Sequence, residues 1–158
     1  MSDRIPITKV GLERIKAELH ELITVERPQV KKDLATAREH GDLKENAEYH
    51  AARERQSFIE GRIQEINAKL SMFNVIDPTG QSGEKVVFGA SVTLENVETG
   101  EELFYQIVGP DEADLKENRI SLQTPIAKAL IGRSIGESVV ISIPKGRLEV
   151  EITDVQFI

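Results

Sequence analysis

The chain has no cysteine in its 158 residues, which excludes disulfides and thiolate metal sites and fits a reducing compartment. No apolar run is long enough to span a bilayer. The start, Met1-Ser2-Asp3-Arg4-Ile5-Pro6, lacks the apolar core and small-residue cleavage site of a signal peptide, so a cytoplasmic location is expected. A positive balance is also missing: 20 basic against 27 acidic side chains leave a net charge of −7. That excludes a protein that grips nucleic acid over a broad surface, because neutralising phosphates takes clustered Lys and Arg. The second half carries neither a glycine-rich phosphate loop nor a nucleophile elbow. What remains, 39% hydrophobic and 30% charged residues, describes one or two small soluble domains.

The charge is unevenly spread. Residues 1–73 hold 13 basic and 13 acidic side chains, so the whole deficit lies in residues 74–158, with 7 basic and 14 acidic. A local nucleic-acid contact therefore belongs in the first half.

That half reads as two helices folded back on each other. Leu12, Ile15, Leu19 and Leu22 recur at heptad spacing, as do Ile59, Ile63, Ile66, Leu70 and Phe73. Antiparallel packing pairs 12 with 73, 15 with 70, 19 with 66 and 22 with 63, and the numbers of each pair add to 85. Beyond Arg27-Pro28 the pairs become Val30 with Gln56, Leu34 with Ala52 and Ala37 with Tyr49, adding to 86. A kink near Pro28 is the expected cause of this one-residue slip. Thr8 is the expected N-cap of the first helix, and the hairpin should run about 50 Å to its turn at about 1.5 Å per residue. Ala37, Ala47, Ala51 and Ala52 suit a tip that narrows. On periodicity alone, a dimerisation or spacer element explains such a hairpin equally well.

The turn, His40-Gly41-Asp42-Leu43-Lys44-Glu45-Asn46, has two readings. Asp42 followed three residues later by Glu45 has the spacing of a capping box, with Gly41 supplying a permissive backbone, and this needs no function. The same two carboxylates are hard oxygen ligands suited to Mg²⁺. That ion wants near-octahedral coordination, so two acids are too few for a site of their own and can only complete one that a partner half supplies. Near them, Arg38, Lys44, Arg53 and Arg55 can form a small basic patch for a phosphate backbone, or can pair with Glu39, Glu48 and Glu54 on a solvated face. Tyr49 can stack on a base, but its seam position favours packing. His20, His40 and His50 have no ligand spacing and read as solvated or packing residues.

From Asn74 the pattern alternates. Asp77 to Gly83 reads as a loop, and strands are expected at 85–88, 91–96, 102–108, 119–122, 138–143 and 148–155, with a hairpin turn at Pro144-Lys145-Gly146-Arg147. Thr124, Pro125 and Gly132 mark the cap, first position and end of one short helix. The acidic run Asp111-Glu112-Ala113-Asp114 reads as a solvated loop rather than a cation site. The expected class is α+β: an antiparallel α-helical coiled-coil hairpin over 1–76 with its tip near 40–46, a linker over 77–84, and a mostly β docking domain over 85–158.

The stretch Ala37-Arg38-Glu39-His40-Gly41-Asp42-Leu43-Lys44-Glu45-Asn46-Ala47-Glu48-Tyr49 resembles the signature of the bacterial Gre-type transcript cleavage factors, in their A-type branch. Ser121 to Arg133 resembles the family's second signature, with Thr124 where serine is common. The resemblance covers essentially the whole chain. It implies an FKBP-like C-terminal domain docking at the rim of the RNA polymerase secondary channel and a coiled coil entering that channel. It further implies that Asp42 and Glu45 help hold a weakly bound Mg²⁺ that the polymerase supplies, and orient a water against backtracked RNA. Arg38 and Arg53 resemble the family's basic positions near the RNA 3′ segment. The factor so implied has no nuclease activity alone, uses no cofactor of its own, contacts no membrane and works as a monomer.

Two rival readings remain at this point. One is a channel-binding inhibitor without cleavage, against which Asp42 and Glu45 speak. The other is a prolyl isomerase or chaperone, against which the few aromatics of residues 74–158 (Phe88, Phe104, Tyr105, Phe157) speak.

Overall fold

The structure, a computed structural model, describes residues 4–41, 45–80 and 82–158. Its contacts form two compact units, Glu13–Met72 in one and Met1–Leu12 with Phe73–Ile158 in the other. In chain order, β1 (Ile5–Thr8) precedes α1 (Lys9–Glu21), a π-helical segment (Leu22–Glu26), α2 (Arg27–Arg38) and α3 (Ala47–Leu70). Then come β2 (Phe73–Ile76), β3 (Ser91–Asn96), β4 (Glu102–Val108), β5 (Arg119–Ser121), α4 (Pro125–Leu130), β6 (Ser138–Ile143) and β7 (Gly146–Gln156). Among the described residues no helix is long and apolar enough to cross a membrane.

Thr8 caps α1 as expected, its Oγ1 accepting from the Gly11 amide at 3.1 Å. The helical pair buries the heptad residues: Ile15, Leu22, Val30, Leu34 and Ala37 on one side, and Tyr49, Ala52, Ile59, Ile63 and Ile66 on the other. Burying each Ile or Leu contributes about 1.5–3 kcal/mol, which is the main source of stability for a hairpin with so thin a core. Two fork-shaped ion pairs cross the seam. Arg27 Nε and Nη2 donate to Glu60 at 2.9 and 2.8 Å, and Arg62 Nε and Nη2 donate to Glu18, both at 2.8 Å. The Arg62 hydrogen bonds hold the Glu18 carboxyl below its ordinary pKa. Such half-exposed pairs contribute about 0.2–1 kcal/mol each, so their larger effect is on register.

The expected kink at Pro28 takes the form of a π turn just before it. Proline has no N–H to offer the Thr24 carbonyl, and the widened turn closes instead with the Arg27 N–H donating to Leu22 O, five residues back. A π turn holds one residue more than an α turn, and this is why the pairing sum rises by one. The helix α3 ends at Leu70, so Phe73, expected as the last seam residue, instead opens β2 and is buried there.

β1 and β2 stand at the two ends of the segment expected to be all hairpin. They pair with each other in parallel, Ile5 opposite Phe73 through Thr8 opposite Ile76, and group by contact with the C-terminal strands. Those strands form a five-stranded sheet in the order β5-β4-β3-β7-β6, antiparallel except for β4 with β5. One face packs with α4 around Val92, Leu94, Ile107, Leu130, Ile141, Val150 and Ile152. Leu94 lies opposite Ile152 but Thr93 lies opposite Asp154. The extra residue, Thr153, is a bulge that shifts the alternation by one, so that Val155 as well as Ile152 turns inward. The strand expected at 85–88 is absent. Val86 is instead fully buried and exchanges backbone hydrogen bonds with Gly132 and Arg133.

The acidic run is not a solvated loop throughout. The half-buried Glu112 carboxylate accepts from the Thr8 amide at 2.8 Å, from the Gly109 amide at 2.9 Å and from the Thr8 hydroxyl. One carboxylate thus ties the start of α1 to the loop after β4.

Candidate functional site

The site lies where the two long helices approach their turn. α2 ends at Arg38, and the chain then passes through Gly41 at φ +104°, in open space, where a side chain would be strained. Asp42 lies outside the described residues. Glu45 is described and exposed, and it makes no hydrogen bond or ion pair with the described residues.

The capping box expected of Asp42 and Glu45 does not start the returning helix. α3 begins at Ala47, and its N-cap is Asn46, whose Oδ1 accepts from the Tyr49 amide at 3.1 Å. The Asn46 Nδ2 also donates to the carbonyl of Ala37 at 2.7 Å. A single amide side chain therefore links both helix ends, satisfying a free N–H of α3 and adding a second donor to the Ala37 carbonyl of α2, which also accepts from the His40 amide at 3.1 Å. Sequence reasoning missed this role. The signal was an Asn immediately before an amphipathic run, but the Asp42–Glu45 spacing competed with it. Glu45, one residue before the cap, is left with its carboxylate in solvent.

Arg38 and Arg53 come together although they lie on different helices. Their guanidinium carbons lie 5.8 and 6.0 Å from the centroid of the Tyr49 ring, and Arg53 Nη1 donates to the Tyr49 hydroxyl at 3.2 Å. Neither forms an ion pair with a described carboxylate. Arg55 does form an ion pair, but with Asp33 at 3.2 Å rather than with the expected Glu39, Glu48 or Glu54. Tyr49 is only 9% exposed, as its seam position required, with the His50 ring edge-on at 5.7 Å. The Arg53 hydrogen bond, and then Arg38, lower the pKa of the Tyr49 phenol, as expected where positive charge collects.

Among the described residues no group of three or more His, Asp or Glu side chains could hold a metal ion. Glu45 offers one hard oxygen donor group in solvent, with Asp42 three residues before it in sequence. That donor set fits partial ligation of a hard cation held mainly by another molecule. In the second signature, Thr124 caps α4 as serine would, its Oγ1 accepting from the Ala127 amide at 3.2 Å and donating to Ser121 O at 2.9 Å.

Two family models match the chain: "Transcription elongation factor, N-terminal" over residues 5–75 and "Transcription elongation factor, GreA/GreB, C-term" over residues 81–157. Transcription elongation factor GreA of Thermodesulfovibrio yellowstonii is 54% identical, over 99% of both chains. The protein of that name from Legionella pneumophila strain Paris is 56% identical, over 97% of this chain and 96% of its own. Among solved structures, Thermus aquaticus Gfh1 aligns at 30% identity over 98% of this chain and 99% of its own, with a TM-score of 0.45.

Proposed function

The chain belongs to the GreA/GreB family of transcription elongation factors, and from that premise we infer that it binds bacterial RNA polymerase in the cytoplasm and stimulates the polymerase's own cleavage of backtracked transcripts. It is a stimulating factor and not itself an enzyme. In this reading the C-terminal domain docks at the rim of the secondary channel, and the hairpin carries its turn to the active centre as a monomer.

One observation carries the role of the turn. Asn46 caps α3 and links both helix ends, so Glu45 is not needed for the fold and its charge is available to a partner. Asp42 and Glu45 contribute carboxylate oxygens to a Mg²⁺ that the polymerase mostly holds, and accept hydrogen bonds from a water aimed at the phosphodiester. When bound, that ion supplies an acidified water and charge stabilisation at the scissile phosphate. Arg38 and Arg53 bind the phosphates of the extruded RNA 3′ segment, whose charge they match without an ion pair to any described carboxylate.

The test is a stalled, backtracked elongation complex with Mg²⁺, followed by release of short 3′ RNA fragments. Asp42→Asn with Glu45→Gln should bind the polymerase with unchanged affinity but cleave slower by about tenfold or more. Cleavage at the wild-type rate would end the metal-ligand reading. Blocked nucleotide addition without fragments would mark an inhibitor, and faster prolyl-limited refolding without polymerase would mark an isomerase.

A further inference from the structure

We propose that Tyr49 is a positioning residue, whose ring holds Arg38 and Arg53 as one preorganised clamp for a phosphodiester of the RNA. The proposal rests on the reading that these two arginines meet the RNA 3′ segment, and it adds what makes them a unit. Two guanidiniums on separate helices repel each other and each has a long, rotatable stem, so nothing in their own chemistry brings them to one place. Here both lie within 6.0 Å of a single ring. That ring is packed in the seam, 9% exposed, and its backbone amide is the donor to the Asn46 cap.

The attraction of each cation to the ring's negative face offsets their mutual repulsion, and the Tyr49 hydroxyl fixes Arg53 further at 3.2 Å. Ordering such side chains before binding removes an entropic cost that free arginines would meet on meeting the RNA. Neither arginine is neutralised by a described carboxylate, so the pair presents two positive charges beside one ring. A phosphodiester oxygen pair is the ligand such a fork suits best. The cap, the ring and the clamp thus form one chain of contacts: Asn46 sets the first turn of α3, that turn sets Tyr49, and Tyr49 sets the arginines.

The experiment is a cycle of variants in full-length protein, read as cleavage rate against factor concentration and as photocrosslinking of the RNA 3′ segment to the hairpin. Tyr49→Phe keeps the ring and should cleave within about twofold of wild type; Tyr49→Leu removes it and should raise the half-saturating concentration about tenfold. The Arg38→Ala, Arg53→Ala pair should do the same, and adding Tyr49→Leu to that pair should cost nothing more. Two independent, multiplying losses would mean that Tyr49 acts by packing alone, and would overturn the proposal. Should Tyr49→Leu fail to fold, Tyr49→Phe still decides: wild-type melting with lost cleavage contradicts a role carried by the ring. If the arginine pair itself cleaves and crosslinks normally, the RNA-contact reading falls first, and the clamp with it.

Discussion

At the scale of single residues, the turn shows how a short polar segment can satisfy two patterns at once. Asp42 and Glu45 have the spacing of a capping box, yet Asn46 is the cap, because its side chain alone can accept from α3 and donate to Ala37 O. The second of these bonds exists only when the two helices are already side by side. The local pattern therefore could not choose between the candidates. Replacing Asn46 by Ala should cost about 1–2 kcal/mol in urea unfolding, because α3 loses its cap and the bond from Asn46 across the turn to Ala37 O is lost with it. Asn46→Asp keeps the acceptor but not the donor, and should fall between. Thr8 and Thr124 were legible as caps because each acts within its own first turn, through bonds to Gly11 and Ala127.

At the scale of elements, the heptad seams and the change of pairing sum were readable in the sequence, whereas the device behind the change was not. A slip of one residue at Pro28 is compatible with a kink, a loop or a wide turn. The π turn at Leu22–Glu26 follows from the carbonyl that proline leaves without a donor. This geometry makes an unusual prediction. Deleting Val25, which is 58% exposed, together with Pro28→Ala, which restores the missing donor, should remove the extra residue, restore a plain α-helix in register with α3, and leave the thermal midpoint close to wild type. Deleting Ser57 from α3 should instead widen the slip and displace Ile59 or Ala52 from the seam. It should lower stability by about 2 kcal/mol or more. Circular dichroism during heating distinguishes the two, and equal losses would contradict the π-turn account.

At the scale of the whole molecule, the first strand and the first helical turn belong with residues far along the chain. Gly109 shows how tightly: a Cβ there would lie 2.0 Å from the Pro6 carbonyl oxygen, whereas one at Gly11 would meet the movable Glu112 carboxylate. Gly109→Ala should therefore destabilise by about 2 kcal/mol or more. Gly11→Ala should lose less, because a side chain rather than backbone must give way and alanine adds helix propensity of up to about 1 kcal/mol, although the displaced carboxylate gives up its bonds to Thr8 and Gly109. Thermal melting of the two variants checks the order, and amide exchange at Thr8 should quicken in both. The sequence by itself determined the helices, most of the strands, the place of the turn and the acids and arginines near it, because periodicity, caps and turn residues act between near neighbours. Only the tertiary structure decided that Asn46 links both helix ends, that Arg38 and Arg53 share the Tyr49 ring, and that Glu112 reaches Thr8 across 104 positions. Each of those contacts is made by side chains that become neighbours only after the backbone has closed.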